Sequence, residues 1–513
     1  MRALVAVLSL FLAGLSVAPA HAQWHRAESP SFVVYSDGAQ SRLRARVLLL
    51  EDFDRLLRML AAGEEAPSPR LHVYIVGSID DLRMIRPVAD GIAGYYIATD
   101  DGIAAFVNGR AEGGGNEILL HEYTHHFMRQ HMRNAYPAWY VEGFAEYFAT
   151  VRFTSRRIEI GNYSRGRASQ ILDGQWLPME RLLSGGTAGL NSPAMSAFYA
   201  QSWLLVHYFY STPERQQALA RLLSGWRRGG DPVQALRAAT GLTPDGLTAE
   251  LRRYIRPGTI AYRYAPRGSV DAPPRVVITE LPRSARDMIL FDAALRVGIA
   301  EENRQPHLQR IRAAAARYPD DPLAMRVLAH AESFHGDGAA ADRLLDRLLA
   351  AAPDDADLLY LKGMRLLVAA KSDEPPEGAA AAARGWFARA RAADPNHFQA
   401  LIRYVESLGA DGEAMSDRSR DMLVQASRLA PQVPSIALNA ANLLIARGDY
   451  DEAIELLEPL AANPHDQGLA EVARRLLDQA AERRQSGPAR AWANDEEKPD
   501  EEPAEPEPPA EAG

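Results

Sequence analysis

The chain has 513 residues, about three times the length of a typical domain, so it is expected to fold as two or three units. Apolar residues make up 47% and charged residues 24% of the sequence, which excludes a wholly disordered or fibrous chain. The formal net charge is −9, and residues 495–513, with nine acidic residues and one lysine, carry −8 of it. The rest is nearly neutral, so it offers no basic excess for binding nucleic acid.

The N-terminal segment, residues 1–22, is predicted to be a secretory signal peptide. Arg2 precedes an apolar run, Leu4–Val17, and Ala20-His21-Ala22 is a cleavage site of the A-x-A type. We expect cleavage after Ala22 and a periplasmic or secreted protein; an uncleaved anchor is the alternative, and the run is short for a membrane span. No later stretch approaches a spanning length, so we expect no stable membrane span in the mature chain. Cysteine is absent, which excludes disulfides.

A small sheet is predicted between residues 32 and 107. Phe32–Tyr35 and Leu71–Val76 are short apolar runs typical of strands, and the periodicity of Leu43–Leu60 predicts a helix between them. Tyr95–Ala98 and Ala104–Val107 flank an Asp-Asp-Gly turn, which indicates a hairpin. Further on, Asn116 is placed to cap a helix, and the pattern is mainly helical to about residue 255. Residues 23–262 are therefore expected to form an α+β domain.

Residues 263–284 contain four prolines among polar residues and are predicted to be a linker. Beyond them, small and apolar side chains recur at matching distances before a series of prolines that are spaced at nearly regular intervals. The longest interval contains a polar insert, Lys371–Gly378, and without that insert it matches the others. The repeated positions are Pro319, Pro353, Pro395, Pro431 and Pro464; Ala341, Ala383, Ser419 and Ala453; and Leu345, Phe387, Leu423 and Leu457.

This repeat resembles the tetratricopeptide repeat (TPR), a pair of helices in which small residues allow close approach. Gly448-Asp449-Tyr450-Asp451-Glu452-Ala453 is similar to the turn between the two helices of such a repeat. The resemblance implies an all-α solenoid over residues 285–485 with a groove for a protein partner; a helical array of another class is the alternative. Residues 486–513 are rich in proline and glutamate, and are predicted to be disordered.

His121-Glu122-Tyr123-Thr124-His125 is an H-E-x-x-H motif inside a predicted helix. Residues four apart share a helix face, so His121 and His125 can direct two imidazoles at one zinc ion. Glu122 can then approach the open side of the metal and bind its water. His126 points to another side of the helix, and His131 is expected to be exposed.

A catalytic zinc site needs a third protein ligand. Glu142 follows on a second predicted helix, and the segment between it and His125 is long enough for the chain to reverse and return to the metal. Glu146 is one turn further along, and it can accept the free N–H of a ligating imidazole. Gly143 would allow the two helices to pack closely.

H-E-x-x-H followed by a Glu-Gly-x-Ala-Glu helix resembles the gluzincin zinc metallopeptidases. The resemblance implies one Zn²⁺ per chain held by His121, His125 and Glu142, with Glu146 behind them. It also implies hydrolysis of peptide bonds by a water that zinc and the general base Glu122 activate. The fold class it predicts is an α+β zincin-like domain followed by the TPR solenoid.

Two further expectations come from this family. Gluzincins bind substrate along an edge strand just before the motif helix, and Ala104–Val107 has the right position in the chain. They also supply an oxyanion donor from a later helix, for which Tyr199 is the candidate, although a tyrosine there can equally pack in the core. His207, Tyr208 and Tyr210 are weaker alternatives. No G-x-M-E-N segment is present, so an endopeptidase is favoured over an aminopeptidase.

The sequence therefore leaves two functions open. The first is an exported zinc peptidase whose TPR array holds a peptide or protein substrate, or a protein partner. The second is a TPR-based interaction protein of the cell envelope, in which the zincin-like domain is structural or inactive.

Overall fold

A computed structural model of the chain describes residues 23–486, apart from short gaps at 62–67, 112–114, 133, 164, 188, 228–229, 257–262, 267–272, 413–414 and 464–465. The predicted signal peptide and, beyond Ser486, the predicted disordered tail lie outside the described residues. Within the described ranges, no helix is long and apolar enough to cross a membrane.

The N-terminal part begins with strands and helices that include those predicted between residues 32 and 107; its first strand and its second helix were not predicted. In chain order they are β1 (His25–Glu28), β2 (Phe32–Ser36), α1 (Gln40–Ala61), β3 (Leu71–Val76), α2 (Ile79–Ile85), β4 (Gly94–Ala98), β5 (Ile103–Asn108), α3 (Asn116–His131) and α4 (Ala138–Ala149). The N-cap of α3 is Gly115, in the left-handed conformation, and not Asn116 as predicted. The side chain of Asn116 instead accepts a hydrogen bond from Arg46.

A small second sheet and further helices follow, and a last strand returns to the first sheet. These elements are β6 (Arg152–Phe153), β7 (Arg157–Ile160), α5 (Arg165–Asp173), α6 (Met179–Ser184), α7 (Ser192–Tyr210), α8 (Pro213–Arg227), α9 (Pro232–Thr240), α10 (Pro244–Tyr254), β8 (Arg263–Pro266) and β9 (Val277–Glu280). The segment predicted to be a linker, residues 263–284, therefore contributes two strands to the fold. Its residues pair with β7 through β8 and with β1 through β9, so they complete both sheets.

The larger sheet has the strand order β4-β5-β3-β2-β1-β9. Strands β2, β3 and β5 are parallel, and their neighbours on both sides are antiparallel. Because successive side chains of a strand point to opposite faces, Val34 and Val73 pack beneath α1 and α3, while Tyr35 and Tyr74 pack on the other face.

The predicted hairpin is present as β4 and β5, but the predicted edge strand is wrong. Ala104–Val107 lies in β5, which pairs with both β3 and β4 and is therefore interior. Since the hairpin folds back, its first strand, β4, takes the edge position.

The C-terminal part is an array of antiparallel helix pairs that is TPR-like. Its helices are α11 (Ala285–Arg296), α12 (Glu301–Ala315), α13 (Pro322–His335), α14 (Gly338–Ala351), α15 (Ala356–Ala370), α16 (Ala379–Ala393), α17 (Phe398–Ala410), α18 (Asp417–Leu429), α19 (Pro434–Arg447), α20 (Tyr450–Ala461) and α21 (Gln467–Gln485). The polar insert forms the loop between α15 and α16. The repeated small and apolar positions are buried between helices, as expected: Ala341, Ala383, Ser419, Ala453, Leu345, Phe387, Leu423 and Leu457.

The array packs against the N-terminal domain at two places. Helix α11 covers one face of the large sheet, where Ile289 and Ala293 join the core around Tyr74 and Phe106. Helices α17–α19 share a second core with α3 and α4. In addition, Arg403 of α17 forms ion pairs with the Asp-Asp pair in the β4–β5 turn. The array therefore curves around the domain instead of extending away from it.

Candidate metal centre

Helix α3 presents the two histidines of the motif on one side. Its residues Tyr123 and Phe127 are buried in the core between α3 and the sheet, so the opposite side of the helix faces α4. His121 and His125 are there, half-buried, with their Nε2 atoms 3.0 Å apart. The i, i+4 spacing on one helix face brings these two imidazole nitrogens together, as the sequence predicts.

Helix α4 brings Glu142 to the same point. Its side chain is 1% exposed, and its Oε2 atom lies 3.6 Å from Nε2 of His121 and 3.5 Å from Nε2 of His125. Among the described residues, these three form a group whose ligand atoms are close enough together to hold a metal ion. Between His125 and Glu142, the chain therefore completes α3, passes through a short connection and makes one turn of α4.

The dimensions of this cluster fit zinc. Zinc binds imidazole nitrogen and carboxylate oxygen at about 2.0–2.1 Å in a tetrahedron, so adjacent ligand atoms should be about 3.3–3.4 Å apart. The observed separations of 3.0, 3.5 and 3.6 Å bracket this value. The donor set of two histidines and one glutamate supplies three of four positions and leaves one for water or substrate.

Glu146 lies behind His121, one turn along α4 from Glu142. Its Oε1 atom is 3.5 Å from Nδ1 of His121, so the imidazole stands between the two carboxylates. Glu146 is itself held by Arg167 of α5, which donates from Nε and from one terminal nitrogen to its two oxygens at 2.9 and 2.7 Å. A planar guanidinium on a carboxylate is a rigid arrangement, which fixes the position of Glu146.

The carboxylates set the electrostatics of the centre. Burial alone would lower the pKa of His121, but the nearby carboxylates of Glu142, Glu146 and Glu122 raise it to about 9. The same concentration of negative charge that holds a proton here would attract a divalent cation.

Glu122, the predicted general base, is half-exposed at the next position of α3. Its charge contributes to the pKa of both His121 and Tyr199, so it lies within electrostatic reach of the cluster. A partly exposed carboxylate beside the two histidines could reach a water molecule in this region.

Tyr199 of α7 also lies at the centre. Its ring centroid is 6.4 Å from that of His121, and the guanidinium of Arg167 lies 5.0 Å from it. The charge of Glu142, followed by burial, raises the pKa of Tyr199, so its hydroxyl stays protonated and able to donate a hydrogen bond. The role of Tyr199 stays a prediction, but its position is compatible with it.

The three weaker candidates on α7 are engaged elsewhere. His207 is buried, with Nδ1 2.8 Å from the hydroxyl of Tyr254 and Nε2 2.9 Å from the carbonyl oxygen of Gly161. Tyr208 packs against the guanidinium of Arg215. The hydroxyl of Tyr210 pairs with that of Tyr140 at 2.8 Å.

The remaining histidines of α3 differ in environment from the ligand pair. His126 is buried against β4, where its Nδ1 lies 3.1 Å from the hydroxyl of Tyr96, and burial lowers its pKa to about 3. His131, which we expected to be exposed, is half-buried, and its ring contacts that of Phe127 at a tilt of 45°.

Gly143 allows a close helix contact, but between α4 and α7. A Cβ atom at Gly143 would lie 2.3 Å from the carbonyl oxygen of Ser202. We expected the close contact to be with the motif helix. Helix α7, which carries Tyr199, therefore lies directly against the helix that carries Glu142.

Arg167 is the residue of this centre that sequence reasoning missed. It lies well beyond Glu146 in the chain, after β6 and β7, and only the folding of this segment brings it back. An arginine in a polar stretch carries no local signal, so it was not predictable from spacing.

Comparison with known proteins adds little. No protein-family model matches the chain, and no curated protein matches it significantly. Among solved structures, a thermophilic TPR protein from Thermus thermophilus is 20% identical with a TM-score of 0.31, over 38% of this chain and 98% of that chain. Yeast Tom70 is 11% identical with a TM-score of 0.26, over 71% of each chain. We draw no functional conclusion from similarity at this level.

Proposed function

We propose that this protein is an exported zinc-dependent peptidase whose TPR-like array binds a protein substrate or a protein partner. The observation that carries the proposal is the convergence of His121, His125 and Glu142 at the spacing of a three-ligand zinc site. Catalytic zinc sites keep an open fourth position, whereas structural sites are closed by four protein ligands. In the proposed site, Glu122 would act at that open position and Glu146 would orient His121.

When bound, zinc would supply positive charge that polarises a substrate carbonyl and lowers the pKa of a water molecule. Glu122 would accept a proton from the attacking water and pass it to the nitrogen of the leaving amine. Glu146 would accept the Nδ1–H of His121, which leaves Nε2 to face the metal. Tyr199 would donate its O–H to the carbonyl oxygen as negative charge develops there.

A second candidate is a TPR-based interaction protein of the envelope in which the metal centre is structural or inactive. The array of helix pairs favours it, because such solenoids present extended binding surfaces and need no chemistry. The fold by itself fits this candidate better, and only the metal centre favours the peptidase.

The zinc content of the purified chain from residue 23 onward tests whether the centre binds zinc. We expect about one zinc per chain by elemental analysis, lost in His121→Ala and kept in His131→Ala. His131 is the matched control because it is a histidine of the same helix outside the cluster. Absence of zinc from the unaltered protein after reconstitution would contradict the proposal.

Cleavage of a pool of quenched fluorescent peptides separates the two candidates. If the protein is a peptidase, Glu122→Gln should bind zinc as before and lose at least about a hundredfold in rate, because it removes the general base. A zinc-loaded protein that cleaves no peptide, with or without the substitution, would favour the interaction protein. Cleavage by Glu122→Gln at the original rate would mean that another group is the base.

Export is tested separately. We expect the full chain, expressed in a Gram-negative bacterium, to accumulate in the periplasm with a mass that corresponds to a start at Gln23. A protein that stays in the cytoplasm with its N-terminal segment intact would contradict this.

A further inference from the structure

A pocket of about 110 Å³ lies between the motif helix and the solenoid. On one side it is lined by Met128 and Met132, at the end of α3, and on the other by Leu456 and Leu460 of α20. His125 is part of the same wall. One of the three proposed zinc ligands therefore borders both the metal centre and this pocket.

The two sides of the pocket are held together by the packing of the array on the domain. Leu429 and Val433, which flank the loop between α18 and α19, belong to the same buried core as Phe127 of α3. The side chain of Gln130 in α3 donates to the carbonyl oxygen of Leu429 at 3.4 Å. The solenoid wall is thus positioned relative to the motif helix by buried contacts.

The character of the lining indicates what the pocket accepts. Its apolar members are buried or half-buried, whereas two of its three Arg and Glu side chains, Arg428 and Glu455, are exposed and the third, Arg129, is half-buried; we place the charges of Arg428 and Glu455 at the mouth. A cavity of about 150 Å³ lined by apolar side chains holds benzene. A pocket of about 110 Å³ is therefore suited to one branched or unbranched aliphatic side chain.

Gln432 gives a second, independent indication of a ligand. It lines the pocket from the loop between α18 and α19, and it is 3% exposed. It lies near the hydroxyl of Tyr96, yet neither atom of its amide makes a hydrogen bond of normal geometry within the described part of the chain. A buried amide that lacks hydrogen bonds of normal geometry is costly, and a peptide unit, with one N–H and one C=O, offers the complementary pair.

We propose that this pocket binds an apolar aliphatic side chain of the peptide held at the metal centre, and that Gln432 hydrogen-bonds to the backbone of that peptide. This inference rests on the proposed peptidase function and adds the substrate class. It also assigns a direct role to the solenoid, which supplies one wall of the substrate site through Leu456 and the polar contact through Gln432.

The test uses a peptide library in which one position at a time is Gly, Leu, Met, Trp or Asp. Cleavage by the zinc-loaded protein is measured, and equilibrium binding of the same peptides to the Glu122→Gln protein is measured in parallel. We expect leucine or methionine at one position to be preferred over glycine or aspartate by about tenfold or more, in both measurements.

Two substitutions of Leu456 change the pocket volume in opposite directions. Because this side chain is only half-buried, we expect both variants to fold. Leu456→Ala should enlarge the pocket and shift the preference toward tryptophan, and Leu456→Trp should fill it and abolish the preference for leucine. Leu476→Ala, a half-buried leucine of α21 outside the pocket lining, is the matched control and should leave the profile unchanged. Gln432→Met keeps the volume, removes the amide and should weaken binding of every peptide by about three- to tenfold.

The outcomes distinguish the two proposals. Cleavage with a profile that is the same in both Leu456 variants would overturn the pocket and leave the peptidase. Peptide binding that depends on Leu456 and Gln432, without any cleavage, would overturn the peptidase and leave the pocket. If no peptide is bound or cleaved, or a fatty acid such as decanoate binds in its place, both the pocket assignment and its substrate class are wrong.

Discussion

The Nδ1 atom of His121 lies 3.5 Å from Oε1 of Glu146, while the Nε2 atom of the same ring faces Glu142. One imidazole is therefore oriented from both sides, and the outer carboxylate is fixed in turn by Arg167. A chain of contacts of this kind determines which nitrogen of a ligand carries the proton and how firmly the ring is held.

We expect Glu146→Ala to lower the affinity for zinc by about ten- to a hundredfold, because His121 then loses the acceptor that orients it. Arg167→Met should lower the affinity by a smaller factor, since Glu146 remains but is no longer held in place, and Arg167→Lys should restore part of it. Competition with a chromogenic chelator measures all three. Unchanged affinity in Glu146→Ala would reduce this residue to a partner of Arg167 without influence on the metal.

The contact at Gly143 has a clear consequence for stability. An added Cβ atom would be 2.3 Å from a backbone oxygen of α7, which cannot move without shifting that helix. We expect Gly143→Ala to lower the free energy of unfolding by about 1–3 kcal/mol or more. Gly385, in the exposed middle of α16, has open space where a Cβ atom would lie, so Gly385→Ala should stabilise by up to about 1 kcal/mol. Thermal unfolding that changes equally in both variants would contradict the close contact.

His207 should make stability depend on pH. Burial lowers its pKa to about 4, and the neighbouring carbonyl and hydroxyl groups suit the neutral ring, with Nε2–H donating to Gly161 and Nδ1 accepting from Tyr254. An unfolded histidine titrates near 6.5, so between about pH 6.5 and 4 the unfolded chain binds a proton that the folded protein does not. The contribution of neutral His207 to the free energy of unfolding is therefore complete above about pH 6.5 and is lost as the pH falls toward 4. The total loss is on the order of 3 kcal/mol.

Urea unfolding at pH 7 and pH 5 measures this effect, with His207→Gln as the comparison. The variant should be less stable than the original protein at pH 7. From pH 7 to pH 5, the free energy of unfolding of the variant should fall by about 2 kcal/mol less than that of the original protein. The comparison cancels the contributions of the other histidines. An equal fall in both proteins would show that His207 is accessible to protons in the folded state.

The parts of the structure that the sequence predicts are those set by local spacing. The H-E-x-x-H histidines converge because residues four apart share a helix face, and the repeated positions such as Ala383 and Phe387 are buried because each helix pair repeats the same packing. Strands β8 and β9 were not predictable, because the prolines in and around them indicate a linker and the strands with which they pair are distant in sequence. Arg167 and Gln432 were missed for the same reason, since each acquires its surroundings only from a contact between distant segments.

Helix α11 lies at the boundary between the N-terminal domain and the solenoid. The repeat pattern assigns α11 to the solenoid, yet Ile289 and Ala293 complete the core on one face of the sheet, around Tyr74. Ala293 is fully buried, so Ala293→Arg would place a charge and a long side chain where there is room for neither, and we expect a loss of several kcal/mol. Ala382→Arg, on an exposed position of α16, is the matched control and should change stability by less than about 0.5 kcal/mol. Zinc binding should be lost with Ala293→Arg and kept with Ala382→Arg, because the sheet supports the motif helix. If the Ala293→Arg protein retains zinc at full affinity, then α11 belongs to the solenoid alone and the metal centre folds without it.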